Sequence, residues 1–553
     1  MKFDKILLCA VYDAEGNEYK AESLKNQHFD INLTTDNNCL CASVIPRCTV
    51  SFKKFLIKLN YNFSKNEKVF VNGYQSWTDS FEYSYSDRMS ELTELTEFCI
   101  KKTPLKYIGF SKSGDSLFHK YPRRNNLFYG WSYGYIRNQN NITLFGTIDE
   151  RSGYTSISFD MENNAVIIEK DLEGVYFTKE TNLLSLAVLS GEYDAVFDLY
   201  FKKMGITCRE SKRRTGYTTW YNYYGNINEQ IVERDLNSIN ELKDIHFDCF
   251  QIDDGYQSAI GDWLITDRKK FPSGMKKIAD EIHKNNMIAG LWLAPFAATK
   301  KSKLFREHKD WFIKDKDGKP YKTGQNWGGF YSLDIYNNGV HKYLKNVFDV
   351  ILNEWGFDLV KLDFLYGACV LPMHNKTRGE IMCDAMDLLR ECCGDKLILG
   401  CGVPLMPAFG KVDYCRIGSD ISLGWKQHKN VIREEVSTPH AVSNSIFRRH
   451  LDGRAWKNDP DVFLLRDRNN KMDFEQRKLL AEINSIFGNL LFISDNVSEY
   501  NDEQLNVLRE TFKEKEIKII SAEFIEKDII EVIYFKNEKE NKLCFNIRTG
   551  KVI

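Results

Sequence analysis

The chain has 553 residues, of which 43% are hydrophobic and 28% charged, with a formal net charge of −1. That length calls for two to four domains, and the composition is ordinary for globular domains with large cores. With no basic arm or acidic tail, it argues against nucleic acid or an anionic membrane as the main partner.

The opening stretch "MKFDKILLCAVYDAEGNEYK" holds one short apolar run flanked by acidic residues, so no secretory leader is expected. No window approaches the roughly 20 apolar residues of a membrane span. The fourteen cysteines are scattered without a C-x-x-C, and only Cys392 and Cys393 are adjacent. Reduced thiols and a cytoplasmic location are expected.

Residues 1–205 read as short β runs parted by Asn, Gly and Asp turns: "FDINLTTDNNCLCASVIP", "EKVFVNGYQSW", "ITLFGTID", "YTSISFDM" and "NAVIIEKDLEGVYF". This pattern predicts an antiparallel β-sandwich, with "EYDAVFDLYFKKMG" a helix leading out of it. From about Thr215 the rhythm changes to strands alternating with amphipathic helical segments. The strand candidates are "YTTWYNYY", "HFDCFQIDDGY", "MIAGLWLAPF", "FDLVKLDFLYG", "KLILGCGVP", "VDYCRIGSDIS", "NDPDVFLLR" and "NLLFISDN". Eight such strands over 206–497 predict an α/β domain, a (β/α)8 TIM barrel. Residues 498–553, with a helix-like "NDEQLNVLRETFKEK" and two strand-like runs, predict a small C-terminal β domain.

Polar residues gather where the barrel strands end, the face on which TIM barrels build their sites. The second strand ends with Asp253 and Asp254, the fourth with Lys361 and Asp363, the fifth with Cys401 and Gly402, and the sixth with Arg416 and Asp420. Trp220 and Trp292 come from the first and third. Each has a bland reading: Asp-Asp-Gly as a turn, Lys361 or Asp363 as a salt bridge, R-x-x-x-D as an i, i+4 ion pair. Their joint placement describes a pocket for a neutral polyhydroxylated ligand, with carboxylates and Lys for hydroxyls and indoles for a sugar face. Two carboxylates on separate strands are also the minimum for glycoside hydrolysis. No metal or other cofactor is expected: the ten histidines include no H-x-H or H-E-x-x-H, and no G-x-G-x-x-G or Walker loop occurs. "DKDGKPY" lacks the later ligands of a calcium loop and reads as a hairpin turn.

"WYNYY", "QIDDGYQ", "FPSGMKKIADEIHKNNMIAGLWLAPF", "LVKLDF" and "RIGSDI" together resemble glycoside hydrolase family 36, the α-galactosidases and α-N-acetylgalactosaminidases; family 27 shares the K-x-D and R-x-x-x-D elements. "VNGYQSWTDS" resembles that family's N-terminal sandwich. The resemblance implies Asp363 as nucleophile and Asp420 as general acid/base. It implies Asp253 and Asp254 on the 4- and 6-hydroxyls, Lys361 on the 3- and 4-hydroxyls and Arg416 near the 2-position. It also puts Trp220 along the sugar and gives Trp77 either a pocket or a core role. Asp459 and Asp461 in "WKNDPDVFLLR" resemble a mainly structural element. The fifth strand departs from the family's Cys-Ser-Ser-Gly-Gly-Gly-like run, which leaves galactose and N-acetylgalactosamine both open at the 2-position.

The expected reaction is a retaining double displacement that releases terminal α-galactose, with carboxyls about 5–5.5 Å apart. Lys361 is expected to favour ionised Asp363, and burial to favour protonated Asp420. The competing expectations are a Schiff base on Lys361, a non-catalytic sugar-binding protein, and transglycosylation by the same residues. The expected partner is an oligosaccharide or small molecule with a terminal α-galactosyl-type sugar, and a homo-oligomer is compatible with the sequence.

Overall fold

The computed structural model describes residues 6–13, 15–20, 24–89, 113–119, 124–425 and 433–553; residues 1–5 of the opening stretch lie outside these. The N-terminal part is two antiparallel seven-stranded sheets. One is built on Val50–Asn60 and Ala165–Asp171, the other on Cys39–Pro46, Thr181–Glu192 and Asn141–Thr147. Period-two patterning makes the core. Along Val50–Asn60, Phe55, Ile57 and Leu59 are fully buried and the residues between them are not. They meet Val166, Ile168, Leu184 and Leu186 of the other strands, each burial worth about 1.5–3 kcal/mol. The predicted exit helix runs Tyr193–Met204 and ends at Gly205 in the left-handed region (φ 67°), where glycine carries no Cβ penalty.

The barrel strands are β1 (Arg214–Thr218), β2 (Cys249–Ile252), β3 (Ile288–Leu293), β4 (Leu359–Leu362), β5 (Leu397–Gly400), β6 (Tyr414–Arg416), β7 in two pieces (Lys457–Asp459 and Val462–Phe463) and β8 (Leu490–Ile493). Each pairs in parallel with its neighbours, and β8 pairs with β1. The first piece of β7 pairs with β6 and the second with β8, so the two ends of the ladder close the barrel at the Pro460–Asp461 interruption. Proline supplies no ladder N–H there, and Asp461 sits at φ 81°.

The helices on the outside follow the sequence expectation at seven of eight connections: α1 (Glu229–Glu241), α2 (Met275–Lys284), α3 (Asn338–Asp349), α4 (Arg378–Cys393), α5 (Thr438–Phe447), α6 (Phe474–Phe487) and α7 (Asp502–Phe512). α2 shows why they form. Met275, Ile278, Ala279 and Ile282 recur at helical spacing and are all buried. The exception is the β5–β6 connection, which holds only a short 3-10 turn, Met406–Ala408. Pro404, Pro407 and two glycines at φ 52° and 67° prevent an α-helix there. In its place the N-terminal loop docks, Gln75 bridging to Pro404 and the Ser76 N–H donating to the Val403 carbonyl at 3.0 Å.

Phe512 of α7 packs on Phe247 and Phe463, at 5.0 and 5.9 Å between ring centroids. A four-stranded antiparallel sheet from Ile517 to Val552 ends the chain. Its Glu523 pairs with Lys68 and Arg137 of the sandwich at 3.1 and 2.9 Å, and Phe524 stacks on Phe447 of α5. "DKDGKPY" forms the predicted hairpin turn, in which Asp315 accepts the backbone N–H groups of Asp317 and Lys319.

Candidate active site

Every residue of β4 is buried, Lys361 included. Beyond the strand, Asp363 is 8% exposed and held from both sides. The indole Nε1–H of Trp292 donates to its Oδ2 at 3.0 Å, and the Phe364 N–H donates to its Oδ1 at 2.8 Å. Phe364 takes a left-handed turn (φ 55°) immediately after the aspartate. Such strain persists where the surroundings over-determine it, often at functional sites. Burial pushes the Asp363 carboxyl above its ordinary range; the Lys361 charge and the Trp292 donor pull it down, and the Asp420 charge pushes it up again. The expectation that Lys361 favours ionised Asp363 therefore holds in sign, but burial outweighs it.

The direct partner of Lys361 is Asp253, with Nζ to Oδ2 at 2.8 Å. Burial opposes the lysine charge, yet Asp253, and at longer range Asp363, hold the ammonium above the ordinary lysine range. Asp253 is also committed to the Gln251 amide at 3.1 Å and the Asp254 N–H at 2.9 Å, while its own N–H donates to Thr219 Oγ1. It orients Lys361, which keeps two of its three N–H donors uncommitted among the described residues. Asp254 accepts from Gln257 Nε2 at 2.6 Å and from Trp327 Nε1 at 2.9 Å, and burial raises its carboxyl.

At the end of β6, Arg416 is 1% exposed and bridges two carboxylates. Its two terminal nitrogens reach Asp461 Oδ1 at 3.2 Å and Asp420 Oδ1 at 3.1 Å. The i, i+4 ion pair read from R-x-x-x-D is real, but it lies on a loop. The expected burial of Asp420 is corrected: its side chain is 36% exposed, although Ser419 before it and Ile421 after it are buried.

The remaining predicted residues divide into walls and supports. Trp220, in a helical turn just after β1, is half-buried and meets Tyr224 edge-on at 5.1 Å. Trp77 of the N-terminal loop is half-buried and packs edge-on against Phe364 at 5.1 Å and Tyr366 at 6.0 Å. Gly402 lets the indole approach; at φ 52°, an added Cβ would lie 2.8 Å from Trp77 Cζ2. Trp292, at 2% exposure, is a correction: its ring is covered by Trp263 and Trp327 and its nitrogen serves Asp363, so it offers no stacking face. Cys401 is 1% exposed and backs the site. Sequence reasoning missed Trp327, carried just before two glycines on the excursion from β3 to α3, and gave no role to Tyr221 within "WYNYY", whose hydroxyl donates to Asp461 Oδ2.

Residues 197–376 match the Melibiase family model. An "A type blood alpha-D-galactosamine galactosaminidase" of Flavonifractor plautii is 29% identical over 155 residues, 26% of this chain and 14% of that protein. "Alpha-galactosidase Mel36A" of Lactobacillus acidophilus is 24% identical over 247 residues, 42% of this chain and 32% of that one. The chain thus spans less than a third of the length of the curated relatives it matches. Among solved structures, the Thermus thermophilus α-galactosidase in complex with p-nitrophenyl α-D-galactopyranoside superposes with a TM-score of 0.71 at 22% identity, covering 97% of this chain and 98% of that one. The GH36 α-galactosidase AgaA of Geobacillus stearothermophilus gives 0.62 at 11% identity, covering 97% and 80%.

Proposed function

We infer that this chain, with a melibiase segment set in the fold of the family 36 α-galactosidases, is a retaining exo-glycosidase that releases terminal α-linked galactose from oligosaccharides or glycoconjugates. The observation that carries the reading is the contrast between its two carboxylates. Asp363 is buried and fixed by donors on both oxygens, as a nucleophile must be to attack along one line. Asp420 is partly exposed in the loop after β6, where a departing oxygen and then a water can reach it. The Asp420 charge is felt at Asp363.

Ionised Asp363 attacks the anomeric carbon while Asp420 protonates the departing oxygen; Asp420 then takes a proton from the water that hydrolyses the glycosyl ester. Lys361, aimed by Asp253, supplies donors to ring hydroxyls, and Asp254 supplies an acceptor. Trp220 and Trp77 cover the apolar face of the sugar. The Schiff-base alternative fares poorly: a lysine held protonated against Asp253 is no nucleophile. The free cysteines support a reducing, cytoplasmic setting.

Side-by-side assays on nitrophenyl α-galactoside and α-N-acetylgalactosaminide, with NMR of the first-formed anomer, test this reading. Turnover of the galactoside with an α first product is expected. Asp363→Ala is expected to lower kcat by about a thousandfold or more; near-normal turnover in that variant would sink the assignment.

A further inference from the structure

We propose that Asp461 is the positioning residue for Asp420: it balances the Arg416 guanidinium beside it and anchors the backbone that follows it. This rests on the glycosidase reading. It goes beyond it by giving a role to a carboxylate on β7.

Three observations converge on Asp461. First, its Oδ1 lies 3.2 Å from one terminal nitrogen of Arg416 while the other nitrogen holds Asp420 at 3.1 Å, so one cation is shared by two anions. Second, Asp461 Oδ2 accepts the N–H of Ile421 at 2.9 Å, which fixes the peptide joining Asp420 to Ile421, and accepts the Tyr221 hydroxyl as well. Third, the residue sits at φ 81° in the break of β7, its own N–H bound to Asp459 Oδ1 at 2.8 Å. A non-glycine residue in that region costs about 1–3 kcal/mol, and Asp461 keeps it while its carboxylate holds Arg416, the Ile421 N–H and the Tyr221 hydroxyl.

The charges facing Asp461 are Arg416 and Asp420 from β6 and its loop and Asp459 from its own strand, with Tyr221 from the turn after β1; Arg416 also faces Cys401 and, like Asp459, senses Lys361 or its neighbours at longer range. Burial raises the Asp461 carboxyl above its ordinary range; the Arg416 charge pulls it down, and the Asp420 and Asp459 charges push it up again. With Asp461 ionised, Arg416 is neutralised and Asp420 sees little net charge. With Asp461 neutral, the full guanidinium charge acts on Asp420 and favours its carboxylate. The balance of charge beside Asp420 is therefore set by the carboxylate in the β7 break.

Asp461→Asn tests this, with kcat/KM measured against pH on a galactosyl disaccharide, whose leaving group needs a proton, and on nitrophenyl α-galactoside, which needs little. The alkaline limb for the disaccharide is expected to move down by about one pH unit, with a loss approaching tenfold above the limb, while the nitrophenyl substrate changes little. Should Asp461→Asn fold poorly, Tyr221→Phe removes the hydroxyl donor and is expected to move the same limb the same way by less. An unmoved limb in a folded variant, or equal loss on both substrates, overturns the proposal. If the wild type cleaves neither substrate, the glycosidase reading itself has failed.

Discussion

Trp292→Phe isolates the one side-chain hydrogen bond to the proposed nucleophile among the described residues. The indole donates to Asp363 Oδ2 at 3.0 Å from a site 2% exposed, so water does not replace the lost donor. A hydrogen bond to a charged group is worth about 1.5–3 kcal/mol, and one pH unit corresponds to about 1.4 kcal/mol. The donor favours the ionised carboxylate, and removing it adds to the upward push that burial already exerts. The acid limb of kcat/KM, where Asp363 takes up its proton and activity is lost as pH falls, is then expected to move up by about one to two pH units. The void between indole and phenyl, under Trp263 and Trp327, should cost about 1 kcal/mol of stability. The assay is hydrolysis of nitrophenyl α-galactoside from acid to neutral pH, beside thermal unfolding. Above both limbs the rates of variant and wild type should converge. An acid limb that stays in place while the variant remains folded would refute the assignment of Trp292 as the group that orients Asp363.

Gly402→Ala places a Cβ 2.8 Å from Trp77 Cζ2 and 2.9 Å from the Phe364 amide nitrogen, at φ 52°; a lower melting temperature and a raised KM are expected, and an unchanged KM would remove Trp77 from the sugar's surroundings. Arg448 is fully buried, and its guanidinium donates to Ser80 Oγ and to the carbonyls of Gln75, Ser76, Thr78 and Ile417. Burial lowers it to about 10. Arg448→Lys keeps a charge but offers three donors in place of five, and denaturant unfolding should show a loss of about 2–4 kcal/mol with an unchanged m-value. A loss below about 0.5 kcal/mol would mean the loop is held by something else.

Much of the barrel was legible because a charged residue inside an apolar strand is conspicuous, and Lys361, Asp363 and Arg416 each stand at such a point. What the pattern could not carry was direction. Trp292 reads as an aromatic at a strand end, and nothing in "GLWLAPF" says that its nitrogen turns to β4 while its ring is covered. Asp420 was expected to be buried, yet in the loop beyond the end of β6 its side chain is 36% exposed. Trp327 lies in a stretch of no regular period, at φ 55° before two glycines, where residue type and spacing carry no signal of its contact with Asp254. The missing helix after β5 was written in "GCGVPLMPAFG": its prolines and glycines forbid a helix, and the expectation of eight regular units overrode them.

The docking of the N-terminal loop on the β5 end has a consequence for the order of events in folding. The Val403 N–H and Ser76 Oγ are 327 residues apart in the chain, and Arg448 reaches the Gln75 carbonyl across 373. Contacts of such separation close late, because loop closure must precede the gain they bring. As the chain leaves the ribosome, the sandwich with Trp77 exists well before β5 and α5 do, and its loop must wait unsatisfied for the barrel to arrive. Catalytic competence is then expected as the last property the chain acquires, so recovery of activity on refolding should lag behind recovery of secondary structure.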